Sequence, residues 1–275
     1  MLKTSTPAPL DQAVIAKAQA LPTGLWLTCP NCHASAYRRR FGAAKVCPQC
    51  GYGLRLTAHE RIAQLTQQFE QWDQQLPQLP TDFPGYADKR QAAASASGSD
   101  ESVICGQALI GAHTVALGVM DSHYMMGSLG TVAGERLCRL FERATQARLP
   151  VVVVATSGGA RMQEGIQSLM QMAKVSQAVA HHAAAGLLYI VVLSDPTMGG
   201  VAASFAMQGD IILAEPHSRV GFAGKRVIEA TIHAQLPADF QRAEAVQKAG
   251  FIDAIVPRSA LGAKLAALLA LHEGC

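Results

Sequence analysis

The segment "VVVVATSGGARMQEG", Val151–Gly165, runs four valines into a Ser and two glycines, and a segment that reads as a helix follows from Met162 to His181. A strand with no polar face is buried on both sides, as in the middle of a covered parallel sheet. The unit recurs downstream. "LLYIVVLS" (187–194) runs into "DPTMGGVAASF", where Gly199-Gly200 opens a short helix of small residues, and the strand "DIILAE" follows. Upstream, "SVICGQALIGAHTVALGVMD" reads as two short strands around Gly111. Gly134 to Ala147 reads as a helix with Leu137, Leu140, Phe141 and Ala144 on one side. Strands alternating with helices from about Val103 onward predict an α/β domain over 103–275.

No GxGxxG loop, Walker A motif or GxSxG elbow accompanies these strands, and Ser157 has the wrong frame for an elbow nucleophile. The glycine pairs suggest different chemistry. First-turn helix N–H groups have no intrahelical partner, and the helix dipole adds positive character there. Glycine lets a carbonyl oxygen approach the backbone closely. Two such units side by side could give two donors to one oxygen, an oxyanion hole suited to a thioester enolate. Gly158, Gly159, Gly199 and Gly200 are therefore the candidate catalytic positions. The alternative is a pair of tight turns or close helix–sheet packing.

The chain has 275 residues and a net charge of +3, which argues against bulk electrostatic binding of nucleic acid. No apolar run reaches the length of a membrane span, and the first 22 residues lack the continuous apolar stretch of a secretory signal. A cytoplasmic location is expected. Of seven cysteines, Cys29, Cys32, Cys47 and Cys50 form two CxxC knuckles with 14 residues between them. That spacing suits one tetrahedral, structural Zn²⁺. Two disulfides or a redox pair are the alternatives, and a reducing cytosol disfavours the former. Cys105, Cys138 and Cys275 read as packing or surface thiols.

Residues 1–23 read as an arm and 24–57 as the ribbon. In 58–102, "AHERIAQLTQQFEQWDQQL" predicts a helix with Ile62, Leu65, Phe69 and Trp72 on one face. The Pro- and Ala/Ser-rich "PQLPTDFPGYADKRQAAASASGSDES" predicts a linker. Arg161 could meet a phosphate or pair with Glu164. Lys225 and Arg226 follow a Gly-Phe-Ala-Gly turn, where they could meet a ligand's phosphates or form a solvated basic turn. Met162, Leu169, Met170 and Met172 read as core or interface. Arg38, Arg39 and Arg40 make the ribbon basic, so weak nucleic-acid binding by the ribbon is a rival reading.

Taken together, "CPNC…CPQCGYGLRLTAHERI", "SGGARMQEGIQSLMQMAK", "DPTMGGVAASFAMQGDIILAEP" and "GFAGKRVIEATI" resemble the β subunit of the carboxyltransferase of bacterial acetyl-CoA carboxylase. The resemblance covers about Trp26 to Val256. It implies a crotonase-like core of stacked ββα turns behind an N-terminal zinc ribbon of four cysteines. It also implies transfer of a carboxyl group from carboxybiotin, carried on a biotin carboxyl carrier protein, to acetyl-CoA, giving malonyl-CoA for fatty acid synthesis. The implied partners are an α subunit, in a heterotetramer of two α and two β chains, and biotin carboxylase in the larger complex. By the same resemblance Gly158, Gly159, Gly199 and Gly200 fall on the oxyanion segments, and the biotin ureido anion serves as base. A carboxyltransferase or decarboxylase for another acyl-CoA uses the same logic. The chain departs from the family pattern at Lys225, where Pro is common, at Met126 and Leu129 in a usually glycine-rich stretch, and at Tyr52 and Gly53, where His is frequent.

Overall fold

The computed structural model describes residues 24–272 except 79. The expected arm and Cys275 lie outside the described residues. A small ribbon comes first: β1 (Trp26–Thr28) pairs antiparallel with β2 (Ser35–Tyr37), and Phe41 and Tyr52 pack against the cysteines. Helix α1 (Ala58–Leu65) starts at a reciprocal cap. Thr57 Oγ1 accepts from Glu60 N–H, and a Glu60 carboxylate oxygen accepts from Thr57 N–H. Then follow β3 (Phe69–Trp72), α2 (Tyr86–Ser97), β4 (Val103–Ile110), β5 (His113–Met120), α3 (Thr131–Ala147) and β6 (Val151–Ser157). After these come α4 (Ile166–Ala184), β7 (Tyr189–Met198), α5 (Gly199–Ala202), β8 (Ile211–Ala214) and β9 (Val220–Gly221). Helices α6 (Lys225–Ile232) and α7 (Ala243–Lys248), strand β10 (Ala254–Ile255) and helix α8 (Leu261–Leu271) complete the described chain.

One eight-stranded sheet runs in the order β10-β8-β7-β6-β5-β4-β3, with β9 paired to the end of β7. The strands from β5 through β6, β7 and β8 to β10 are parallel to their neighbours, and β3 and β4 continue the sheet antiparallel. The valine run now has its reason. Side chains alternate along a strand. Val151 and Val153 pack in the layer that holds Leu137, Phe141 and Val175 of α3 and α4. Val152 and Val154 pack in the opposite layer, with Ile62 of α1 and Leu265 of α8. Both faces are covered, so every position can be apolar. Parallelism brings the carboxyl ends of β6 and β7 to one edge, the usual place for a ligand site in an open α/β sheet.

Three expected elements differ. The helix expected to run on from Ala58 stops at Leu65, and Phe69–Trp72 is an edge strand paired with β4. Thr66 turns extended, and its hydroxyl takes the Gln68 N–H and lies 2.6 Å from the Leu109 carbonyl, which pulls the chain onto the sheet. Phe69 and Trp72 belong to opposite layers, as strand alternation requires and a shared helix face does not. The expected linker contains α2, whose Ala/Ser run favours helix but carries no apolar periodicity. The long helix begins at Ile166, not Met162. Residues 162–164 form a 3-10 turn, and Gly165 (φ +53°) separates the two.

Candidate active site and metal centre

The four ribbon thiols converge. All four Sγ atoms lie within 4.8 Å of one another, and the Cys29–Cys50 and Cys32–Cys47 pairs are each 3.7 Å apart. A tetrahedral ion with sulfur ligands at about 2.3 Å has ligand–ligand edges of about 3.8 Å, so the site fits such an ion. A disulfide needs sulfurs about 2 Å apart, which these are not. Burial pushes the Cys29 thiol up to about 12. At Cys50 burial acts the same way, but hydrogen bonds from the Asn31 amide and the Tyr52 backbone prevail and bring it down to about 6. Thiols this close ionise together only around a cation. Cys105 and Cys138 are buried away from this cluster.

The two glycine pairs meet at the sheet edge. A Cβ built on Gly159 would lie 3.3 Å from Gly199 Cα, and one built on Gly199 would lie 3.0 Å from Gly159 Cα. Gly159 has φ +118° and Gly199 φ +58°. The turns therefore touch backbone to backbone, a contact that side chains would prevent. The donors differ from expectation. Gly158 N–H is taken by the Met126 carbonyl at 2.8 Å, Gly159 N–H by Ser157 Oγ at 3.0 Å, and Gly199 N–H by the Phe222 carbonyl at 3.0 Å. Among the described residues, the N–H groups of Ala160 and Gly200 form no hydrogen bond. They flank the same small space: a Cβ on Gly159 would be 3.4 Å from Gly200 N, and one on Gly200 would be 3.7 Å from Ala160 N. A cavity of about 590 Å³ opens beside Ala160, lined also by Lys89, Met125, Met126, Gly158 and Met162.

Arg161 is not available to a phosphate. Its side chain is 0% exposed. Every guanidinium nitrogen is engaged, by Glu101, by Ser128 Oγ (3.1 Å) and its carbonyl (2.7 Å), by Tyr86 Oη (3.3 Å) and by Glu164 (3.2 Å). The pairing with Glu164 holds, although on a 3-10 turn, and Glu101 is the larger partner. Despite burial, which acts the other way, Glu101 raises the Arg161 pKa further above its usual range.

A family model described as the carboxyl transferase domain matches residues 76–256. The acetyl-coenzyme A carboxylase carboxyl transferase subunit beta of Leuconostoc citreum (strain KM20) is 59% identical over 253 residues, covering 92% of this chain and 91% of its own. Its namesake in Levilactobacillus brevis is 53% identical over 276 residues, covering 100% and 99%. The chain belongs to the carboxyltransferase β-subunit family.

Among solved structures, a transcarboxylase 12S with methylmalonyl-coenzyme A and methylmalonic acid bound superposes with a TM-score of 0.67. It shows 25% identity over 78% of this chain and 41% of its own. A Pseudomonas malonate decarboxylase heterodimer, at 19% identity and TM-score 0.62, shares the fold. The core of this carboxyltransferase β chain is thus crotonase-like α/β, with the four-cysteine ribbon at its N-terminal side. Its α6 begins three residues after Phe222, the acceptor of Gly199 N–H, so Lys225 and Arg226 stand close to the second glycine turn. Lys225 Nζ is tied down by the carbonyls of Leu236 and Pro237, both at 3.1 Å, whereas Arg226 is exposed. Sequence reasoning missed Ala160, Met126 and Glu101. Ala160 offers only its backbone N–H, which its residue type does not announce, and Glu101 is identified only by its contact with Arg161. Met126 has φ +60°, a left-handed conformation unusual outside glycine, and only its place in a normally glycine-rich stretch hinted at that.

Proposed function

We propose that this chain is the β subunit of an acetyl-CoA carboxylase carboxyltransferase, and that it moves a carboxyl group from carboxybiotin to acetyl-CoA to give malonyl-CoA. The observation that carries the mechanism is the backbone contact between the two glycine turns, with the unengaged N–H groups of Ala160 and Gly200 beside it. In the reaction the acetyl α-carbon loses a proton. Its electron pair forms the bond to the incoming carboxyl carbon, and negative charge passes through the thioester oxygen. Biotin, on its carrier protein, supplies the carboxyl group and accepts the proton. This chain supplies donors for the oxygen, each worth about 2.7–4 kcal/mol at the transition state. Gly158, Gly159 and Gly199 contribute by allowing the approach rather than by donating, and Gly200 offers its own N–H. Arg226, exposed at the start of α6, would meet a CoA phosphate.

Cys29, Cys32, Cys47 and Cys50 would hold one Zn²⁺. With all four positions filled by thiolate, it is structural. The partner reading rests on the face beside the site. Met162 is 85% exposed, and Ile166, Leu169 and Met170 on the first turns of α4 are also exposed, an apolar strip that a soluble chain usually covers. We assign it to the α subunit, in an assembly of two α and two β chains. No helix among the described residues is long and apolar enough to cross a membrane. The test is malonyl-CoA-dependent carboxylation of biotin by the purified chain with and without its α subunit. Transfer is expected only with both. A clear preference for a larger acyl-CoA, or no transfer by the pair, would reject this reading.

A further inference from the structure

Asp195 lies near the carboxyl end of β7, at the register irregularity against β6 and four residues before Gly199, and it is 6% exposed. Its carboxylate is gripped from two directions. Arg219 donates from Nε (2.9 Å), from a terminal nitrogen (3.0 Å) and from its backbone N–H (3.0 Å). The other partner comes from the ribbon: the Tyr52 hydroxyl donates to Asp195 Oδ2 at 2.6 Å, across 143 positions of sequence. Tyr52 follows Cys50 by two residues and packs in the ribbon's own small core. The same node reaches the other turn. The Asp195 carbonyl accepts from Thr156 Oγ1 at 3.3 Å, and Thr197 Oγ1 donates to the Ala155 carbonyl at 2.9 Å, so the ends of β6 and β7 are tied together just before both glycine pairs.

Two further contacts seat the ribbon on this edge. Arg258 forks onto Glu215 (2.8 and 2.7 Å) and donates to the ribbon-side carbonyls of Ala44 (2.7 Å) and Leu54 (2.8 Å). His217 Nε2 meets the Cys50 carbonyl at 2.9 Å. Those contacts hold the ribbon to the segments that follow β8 and β10. Tyr52 differs because its partner belongs to the strand that leads into the second glycine turn.

We propose that Tyr52 is a positioning residue for carboxyl transfer: its hydroxyl holds Asp195, and through it sets Gly199-Gly200 against Gly158-Gly159. The ribbon is then a brace for the thioester-oxygen site as well as a fold of its own. This inference rests on the reading of the glycine turns given above. Removing the hydroxyl leaves the Arg219 fork in place, so the strand end stays folded but gains freedom. A buried hydrogen bond to a charged group is strong enough for its loss to slow a reaction about tenfold when the geometry it holds is needed only in the transition state.

The test uses full-length Tyr52→Phe assembled with the α subunit. Expected are a fall in kcat of about tenfold, a KM for malonyl-CoA within about twofold of wild type, unchanged metal content and a melting temperature within a few degrees. Amide hydrogen exchange should quicken in residues 195–202 and stay unchanged in β5 and the first half of β6. In an Asp195→Asn background, Tyr52→Phe should have much less effect. Wild-type kcat in Tyr52→Phe, or unchanged exchange over 195–202, overturns the proposal. So does a loss of kcat matched by loss of metal, which would make Tyr52 part of the ribbon's fold alone. If the wild-type pair itself transfers no carboxyl group, the functional reading fails instead, and the exchange measurement still decides whether Tyr52 braces the turn.

Discussion

Gly199→Ala isolates the contact between the glycine turns. Two separate penalties follow from the structure. At φ +58° a β-carbon meets the steric cost of the left-handed region, about 1–2 kcal/mol. That carbon would also stand 3.0 Å from Gly159 Cα and 3.3 Å from the Gly158 carbonyl oxygen. Ordinary carbon–carbon contact begins at about 3.5 Å, so the turns must part by roughly half an ångström. Donors to a developing oxyanion work at about 2.7–3.1 Å, and such a shift takes one of them out of range. Turnover should fall by about a hundredfold or more. Gly186→Ala is the control. Gly186 has φ +70° with nothing within 4 Å of a built Cβ, at the other end of β7. It carries the conformational penalty without the contact. Each variant should melt lower by about 2–4 °C per kcal/mol lost. Only Gly199→Ala should lose turnover in malonyl-CoA-dependent biotin carboxylation with the α subunit. If Gly199→Ala keeps turnover within about threefold of wild type, or Gly186→Ala loses as much, the glycines are turns and no more.

Two other outcomes are expected. Cys47→Ser should abolish binding of the single Zn²⁺, read by elemental analysis of chelator-free protein; unchanged zinc would disprove the four-thiolate site. Glu215 is buried between Arg61 (2.6 Å) and Arg258 (2.7 Å); against burial, these arginines hold its carboxyl down to about 2. Because the folded value lies below the unfolded value of about 4.3, its stabilisation is complete above that pH and drains away as pH falls toward about 2. Urea titrations between about pH 5 and pH 3 should show stability falling. Glu215→Gln should flatten that slope and, near neutral pH, destabilise by about 3–5 kcal/mol through two unpaired buried arginines. An unchanged slope would remove Glu215 from the acid response.

The sequence by itself determined the features whose information is local. Four consecutive valines require a strand covered on both faces, and Leu137, Leu140, Phe141 and Ala144 repeat at helical spacing, so β6 and α3 were legible. The cysteine ligands come in close pairs within one short segment, so their meeting needed no knowledge of the rest. The glycine pairs marked two turns for the same reason. Tertiary structure decided whatever depends on partners far along the chain. Phe69 and Trp72 continue the helical repeat of Ile62 and Leu65, yet the helix ends at Leu65 and pairing with β4 makes Phe69–Trp72 a strand. The Ala/Ser run of α2 has no apolar face to announce it, yet Tyr86 from its first turn and Glu101 beyond its end surround Arg161. That enclosure turned a candidate phosphate ligand into a buried ion pair. Which N–H groups remain available at the site was likewise set by distant acceptors, Met126 for Gly158 and Phe222 for Gly199. A donor is free or engaged only once its neighbours are in place, and no spacing rule carries that. The Tyr52–Asp195 bond is the extreme case: two residues 143 positions apart, joined because the ribbon folds back onto the edge where the glycine turns meet.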